Sequence, residues 1–335
     1  MQKISRVIDS VSTEIDFSGI VLAVQNEEEI FSRAYGFRNR ADELNNNLQT
    51  RFGIASGCKL FTAIAICQLV DKGVLDFSTP LRDCLEIPSF HEDITIHHLL
   101  THTSGVPDYF DESVMDDFED LWKEVPMYKI SKLEDFLPLF QHQPHMFAPG
   151  ERFHYNNAGY ILLGLVIEHK TGQGFTEYVQ SHIFEPCNMM DSGYFSFDRL
   201  PKNTATGYID NSEDGTWRTN IYSLPIRGGS DGGAYITAPD MLKLWDNLIN
   251  EKLLRKETST LLFTPHVQVE DDDFYGYGIW IKKNKNEIYK YHVMGYDPGV
   301  SFASAFYPKL DLTVVIPSNQ SSGPHNILKE LEKEL

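Results

Sequence analysis

In ASGCKLFTAIAICQLV, residues 55–70, a serine and a lysine stand three apart at the head of an apolar run. From Leu60 to Val70 only Thr62 and Gln68 are polar. At i and i+3 of a helix, Ser56 and Lys59 share a face, with Cβ atoms about 5–6 Å apart. Backbone N–H groups at a helix start point outward and favour negative charge there. A lysine among apolar neighbours is driven towards its neutral amine, because burial penalises the charged form. A neutral amine beside a hydroxyl is a general base beside a nucleophile. By itself the pair also reads as a capping serine and a lysine that snorkels to the surface.

Tyr155 and Asn157 lie two apart in HYNNAGYILLG, just before a helix-like run. A phenol there could relay protons and an asparagine could bind a substrate amide; a packed tyrosine and a capping asparagine are the plainer alternative. GGSDG at 228–232 fits G-x-S-x-G, which would make Ser230 the nucleophile of an α/β-hydrolase. That motif needs a buried strand before it and a helix after it. NIYSLPIR, which precedes it, contains a proline, and no strand–helix alternation leads into it. The glycines therefore read as a tight loop near a cleft. His98 and His102 are four apart, but the glutamate of H-E-x-x-H is missing, so no metal and no other cofactor is expected. Cys58 lies between Ser56 and Lys59. Neighbouring helix positions diverge by about 100°, so its thiol should point away and pack.

The elements that must position these groups lie at both ends of the chain. A helix-like opening to about Glu14 precedes the strand candidates SGIVLAV and EIFSRAYGFRN, joined by a polar turn. The apolar run follows as a helix, with Gly73 as its stop. Short helices and loops rich in His, Asp, Pro and aromatics fill about 76–229, with one clear helix from about Ala158 to Lys170. A second helix starts at the cap Thr237. Four strand candidates follow: YGYGIWIKK, EIYKYHVMG, VSFASAFYP and LDLTVVIPSN. An amphipathic helix, NILKELEKEL, closes the chain. Short connections imply antiparallel hairpins. The expected fold class is α+β: one domain over 1–335, with an antiparallel sheet from about 1–75 and 230–335 flanked by helices. The mostly helical insert packs against it, leaving a natural site between the two parts.

The chain has 335 residues and a formal charge of −19. That balance disfavours nucleic acid and anionic membrane surfaces as partners. The acidic runs DDFED and EDDDF read as solvated loops. No apolar stretch reaches membrane-spanning length. The opening residues lack the apolar core and cleavage site of a secretory signal, which implies a cytoplasmic protein with four reduced cysteines.

Taken together, five segments in order resemble the serine β-lactamase and penicillin-binding-protein superfamily, in its class C-like branch. That branch includes D-aminopeptidases, D-alanyl-D-alanine carboxypeptidases and esterases. The segments are FGIASGCKLFTAIAICQLVDKGVLDFSTPL, ITIHHLLTHTSGVPDY, FAPGERFHYNNAGYILLGLVIEHKTGQGFTEYVQSHIFEPCNM, GGSDGGAYITAPDMLKLW and GYDPGVSF. The resemblance covers nearly the whole chain. It implies a β-lactamase/transpeptidase-like fold and a metal-independent serine hydrolase that forms an acyl-enzyme on a small amide or ester. Ser56 would be the nucleophile and Lys59 its base. Tyr155 would pass a proton to the leaving group or help activate water, and Asn157 would bind the substrate amide. The backbone N–H groups of Ser56 and Tyr296 would form the oxyanion hole. Some relatives acylate once and act as receptors, but the presence of both Lys59 and Tyr155 favours turnover.

One family element departs from the pattern. The family carries Lys or His, a small residue, then Gly on a strand lining the site. The literal KTG at Lys170–Gly172 ends a helix that begins near Asn157, roughly 20 Å away, and reads as a helix cap. GYDPGVSF instead makes Gly295 the motif glycine and puts Val293 where the cation belongs. His292 is one residue off and would face away, unless a bulge shifts the register. Without that cation, strict carboxypeptidase or β-lactamase activity is not expected.

Overall fold

The computed structural model describes residues 2–87, 89–115 and 117–335. Its sheet has eight strands: β1 (Gly19–Gln25), β2 (Glu28–Tyr35), β3 (Val267–Glu270), β4 (Asp273–Tyr275), β5 (Trp280–Asn284), β6 (Glu287–Asp297), β7 (Val300–Tyr307) and β8 (Leu312–Ser318). The spatial order is β2-β1-β8-β7-β6-β5-β4-β3, with every pair antiparallel. The two ends of the chain meet in the β1–β8 pair, where Leu22 faces Val315.

Both faces of the sheet are covered. The helices α1 (Gln2–Glu14) and α5 (Pro324–Glu332) close one face, where Ile8, Ile327 and Leu331 share a core with Val21, Ala305 and Val314. On the other face Leu22, Phe302 and Val315 join the core of α2 (Lys59–Asp71), α3 (Asn157–Thr171) and α4 (Ala238–Ile249). All eight residues of β7 are consequently buried. Side chains alternate between faces, so a strand covered on both sides reads as a continuous run of apolar and small residues.

Helix α2 is buried on every side from Lys59 to Leu69. A helix apolar all round belongs in a protein interior, and this one lies between the sheet and α3. It ends where Gly73 takes a left-handed conformation (φ 68°). Thr237 caps α4 by accepting from the Asp240 N–H, as its sequence implies. Among the described residues no helix is long and apolar enough to cross a membrane.

Two segments differ from expectation. EDDDF is the turn of a hairpin rather than a free loop: Asp271 and Asp272 sit between β3 and β4, and Asp273 belongs to β4. YGYGIWIKK is not one strand; the chain breaks between Tyr275 and Trp280. Gly278 there has φ 68°, and a Cβ on it would lie 2.8 Å from the Lys59 carbonyl oxygen. That break packs the chain against the first turn of α2. The region between α2 and α4 also holds a short ribbon, Tyr208–Asp210 with Trp217–Thr219.

Candidate active site

Ser56 stands in a 3-10 turn, Ala55–Cys58, that leads into α2. Ala55 has φ 45°, a conformation costly for a residue with a Cβ. The turn is pinned from both sides. Phe52–Gly53 pairs with Tyr235–Ile236, and the Ile54 N–H donates to the Ala234 carbonyl at 2.9 Å. Strand β6 presses against it. A Cβ on Gly295 would lie 2.9 Å from both the Ser56 and Gly57 nitrogens, and closer still to the Ile54 carbonyl oxygen. Only glycine permits this approach, which sets the backbone of Tyr296 beside the Ser56 turn.

Lys59 is 1 % exposed, so its ammonium does not snorkel. Its Nζ donates to Ser56 Oγ at 2.9 Å, to Asn157 Oδ1 at 2.8 Å and to the Asp231 carbonyl at 2.8 Å. Three partners match the three N–H groups of an ammonium, or the two N–H groups and lone pair of a neutral amine. The Tyr155 ring lies 4.9 Å from Nζ and that of Tyr160 5.6 Å. Ser56 stands near enough to the Tyr155 phenol to favour its ionised form, though no direct hydrogen bond joins the two side chains. Burial, and then the charge of Glu112, hold that phenol well above its ordinary range, so it keeps its proton at neutral pH.

Tyr155 and Asn157 owe their placement to residues 102–108, HTSGVPD. The His102 carbonyl accepts from the His154 N–H at 2.9 Å, and its Nδ1 accepts from the Asn156 N–H at 3.1 Å. Its ring packs on Tyr155 with centroids 4.4 Å apart. Burial, reinforced by Lys59, holds His102 well below its usual range, so the imidazole is neutral. Asp108 accepts from the Asn157 N–H at 2.7 Å and the Ala158 N–H at 2.9 Å, satisfying the first donors of α3. Burial nevertheless pushes its carboxyl up to about 7. Asn156 caps the helix through Gly159. Sequence reasoning missed Asp108 as a positioning residue. An acid followed within a few residues by an aromatic looks like any loop, and its partner is 49 residues away.

Both ends of the Asn157 side-chain amide find partners. Its Oδ1 accepts from Lys59, and its Nδ2 donates to the Phe110 carbonyl at 3.2 Å and reaches Glu112 Oε1 at 3.5 Å. It lines a cavity of about 470 Å³ together with Ser56, Tyr296, Glu112, Asp231 and Asp297. Asp231 accepts from the Tyr109 hydroxyl. Burial raises its carboxyl, with Lys59 opposing. Asp297 is pushed up to about 8, first by burial and then by the charge of Asp231.

The remaining candidates lie elsewhere. His292 does not reach the site: β6 pairs with β7 without a register shift from Tyr291 to Asp297, so no bulge turns it. Val293 shares the face of Gly295 and packs in the core beside α2, while His292 points to the opposite face. Burial and the charges of Lys290, Lys282 and His325 hold His292 well below its usual range. Ser230 fails as an alternative nucleophile. It is fully buried, its Oγ has no hydrogen-bond partner, and it packs on Gly164, where a Cβ would also meet it. Cys58 points away, its sulfur 3.7 Å from the Gly229 carbonyl. Gly172 is the left-handed cap of α3 (φ 68°), so Lys170–Gly172 is a helix end. His98 completes a capping box with Thr95, and the described residues contain no cluster able to hold a metal.

A three-layer fold with a serine and lysine at the head of a buried helix, facing a tyrosine and an asparagine, defines a class, and comparison with known proteins agrees. The β-lactamase family profile matches residues 4–334, and the chain belongs to that family. It is similar to a solved penicillin-binding protein from Bacillus halodurans, 58 % identical, covering 98 % of this chain and 100 % of that one, with a TM-score of 0.95. The Bacillus subtilis protein PbpX, named as a penicillin-binding protein, is 28 % identical over 95 % of this chain and 73 % of its own length. Penicillin-binding protein 4* of the same organism is 26 % identical over 84 % of this chain; the match spans 63 % of its length. The fold is also that of the D-amino acid amidase of Ochrobactrum anthropi SV3, 18 % identical over 99 % of this chain and 100 % of that one, at a TM-score of 0.80.

Proposed function

We propose that the protein is a serine hydrolase that cleaves a small amide or ester through an acyl-enzyme on Ser56, with no metal. The Lys59 head group carries this reading. Two of its three partners, Asn157 Oδ1 and the Asp231 carbonyl, can only accept hydrogen bonds. A neutral amine has two N–H donors for those acceptors, and its lone pair is left pointing at the third partner, Ser56 Oγ. These surroundings support Lys59 as the base that serves the serine.

In the proposed sequence Ser56 Oγ attacks the carbonyl carbon while Lys59 takes its proton. The developing oxyanion meets the N–H groups of Ser56 and Tyr296, each such donor contributing about 2.7–4 kcal/mol in the transition state. Tyr155, held protonated, gives its proton to the leaving nitrogen or oxygen as the carbon–heteroatom bond breaks. Lys59, now an ammonium, returns a proton to the Tyr155 oxygen. Water then attacks the ester by the reverse route and frees Ser56.

Intact-protein mass spectrometry with an activated ester and with a penicillin tests the proposal on wild type, Ser56→Ala and Ser230→Ala. A transient adduct on wild type and Ser230→Ala, absent from Ser56→Ala, is expected. An adduct that survives Ser56→Ala and vanishes in Ser230→Ala overturns it. An adduct on wild type that never turns over would point to a receptor.

A further inference from the structure

Among the described residues, the walls of the Ser56 cavity carry acidic side chains with no basic ones beside them. They include four carboxylates, Glu112, Asp117, Asp231 and Asp297, and no lysine, arginine or histidine. None of the four forms an ion pair with a described residue. The charges of Asp231 and Glu112 both act against the ionised form of Asp297. Both residues lie close to the chemistry. Glu112 is 3.5 Å from the Asn157 amide, and the Asp231 backbone holds Lys59. The position from which a cation would meet a substrate carboxylate holds Val293, packed in the core. Lys59, which holds Ser56, must be neutral to accept the serine proton. The lining also includes the apolar side chains of Phe110, Phe118, Leu224 and Val300. At about 470 Å³ the cavity is of small-ligand size.

We infer that this cavity takes substrates whose acyl part combines an apolar side chain with a free ammonium group, with Glu112, Asp231 and Asp297 as counter-charges. The inference rests on the hydrolase reading above and specifies its substrate class. An incoming ammonium favours ionisation of Asp297, whose carboxyl is otherwise pushed up to about 8. An incoming carboxylate adds a further acid to a site shielded from water, where like charges are costly. Glu112 is linked to Ser56 through Asn157 and Lys59, so an ammonium close to the scissile carbonyl would approach the same network.

The test uses the 4-nitroanilides of both phenylalanine enantiomers, each with a free amine, N-acetylated or N-succinylated. At about pH 6.5 the free amine should exceed the acetylated form in kcat/KM by about tenfold or more, with the succinylated form weakest. In the double variant Glu112→Gln/Asp297→Asn that ratio should fall to about threefold or less. Calorimetric binding of 2-phenylethylammonium and 3-phenylpropionate to Ser56→Ala gives a readout independent of turnover; the cation should bind about tenfold tighter or better. Equal use of acetylated and free amines, equal binding of the two ions, no binding of the cation, or a ratio indifferent to the double variant would each overturn the inference. Normal acylation of Ser56 without a charge preference sinks the inference alone. A cation preference without acylation sinks the hydrolase reading and leaves the charge assignment standing.

Discussion

Gly295→Ala probes how closely β6 must approach the nucleophile turn. The added methyl would lie 2.9 Å from the Ser56 and Gly57 nitrogens, and closer to the Ile54 carbonyl oxygen. All three are backbone atoms, so no side chain can swing aside. Carbon against nitrogen or oxygen needs about 3.4 Å or more, and the two backbones must part by roughly 0.5–1.3 Å. A displacement near 1 Å at a reacting centre costs about 10²-fold in rate. Loss of one oxyanion donor costs about 10²–10³-fold. The expected fall in kcat/KM is therefore about 10²–10³-fold, accompanied by an overpacking cost of about 1–3 kcal/mol in stability. Gly19→Ala is the control: its Cβ would also meet backbone, at the Pro317 carbonyl and 3.0 Å from Ser318 Cα. It sits on β1, three strands from β6 and roughly 14 Å away at ordinary strand spacing. It should lose stability by a similar amount and keep its activity per folded molecule. Steady-state hydrolysis of an activated ester, normalised to the folded fraction from urea denaturation, measures both. A folded Gly295→Ala protein with activity within about threefold of wild type would refute the close-approach argument.

Lys59→Ala should slow acylation of Ser56 by about 10²–10⁴-fold, as loss of a general base does, measured by stopped-flow with an activated ester. It should also destabilise the fold, because the Asn157 Oδ1 and the Asp231 carbonyl lose their shared donor. Tyr155→Phe keeps the packing on His102 and removes the proton donor, so hydrolysis of an anilide should fall about tenfold or more further than that of an ester with a good leaving group. Asp297→Asn should stabilise the protein, more at pH 8 than at pH 5. The folded carboxyl titrates near 8 against an ordinary 3.8, so the native state binds the extra proton and wild-type stability falls as pH rises through that window. Urea midpoints at the two pH values check the sign; equal shifts at both would contradict it.

The elements that carry the site could be read from the sequence because their signals are local. The unbroken apolar face of α2, the cap Asn156 and stop Gly172 of α3, and Thr237 before α4 each depend on residues within a turn of one another. The β3–β4 hairpin was hidden because its three aspartates look like a loop, yet two of them make the turn and the third pairs in the strand. His292 illustrates the limit from the other side. Which way a strand residue faces depends on register with its neighbour, and only the pairing of β6 with β7 shows that no bulge turns His292 inward.

The sequence by itself determined which residues could supply a nucleophile, a base and a proton donor, since residue type, spacing and helix periodicity carry that information. It also determined that the position two residues before Gly295 holds no cation. Tertiary structure decided what those groups meet. The two carbonyl acceptors that hold the Lys59 head group come from residues 157 and 231. Asp108 sets the start of α3 from 49 residues away. The carboxylates of the cavity come from segments near 112, 231 and 297, brought together only when the chain folds. Their mutual repulsion depends on distance and shielding from water, and neither is a property of the linear chain.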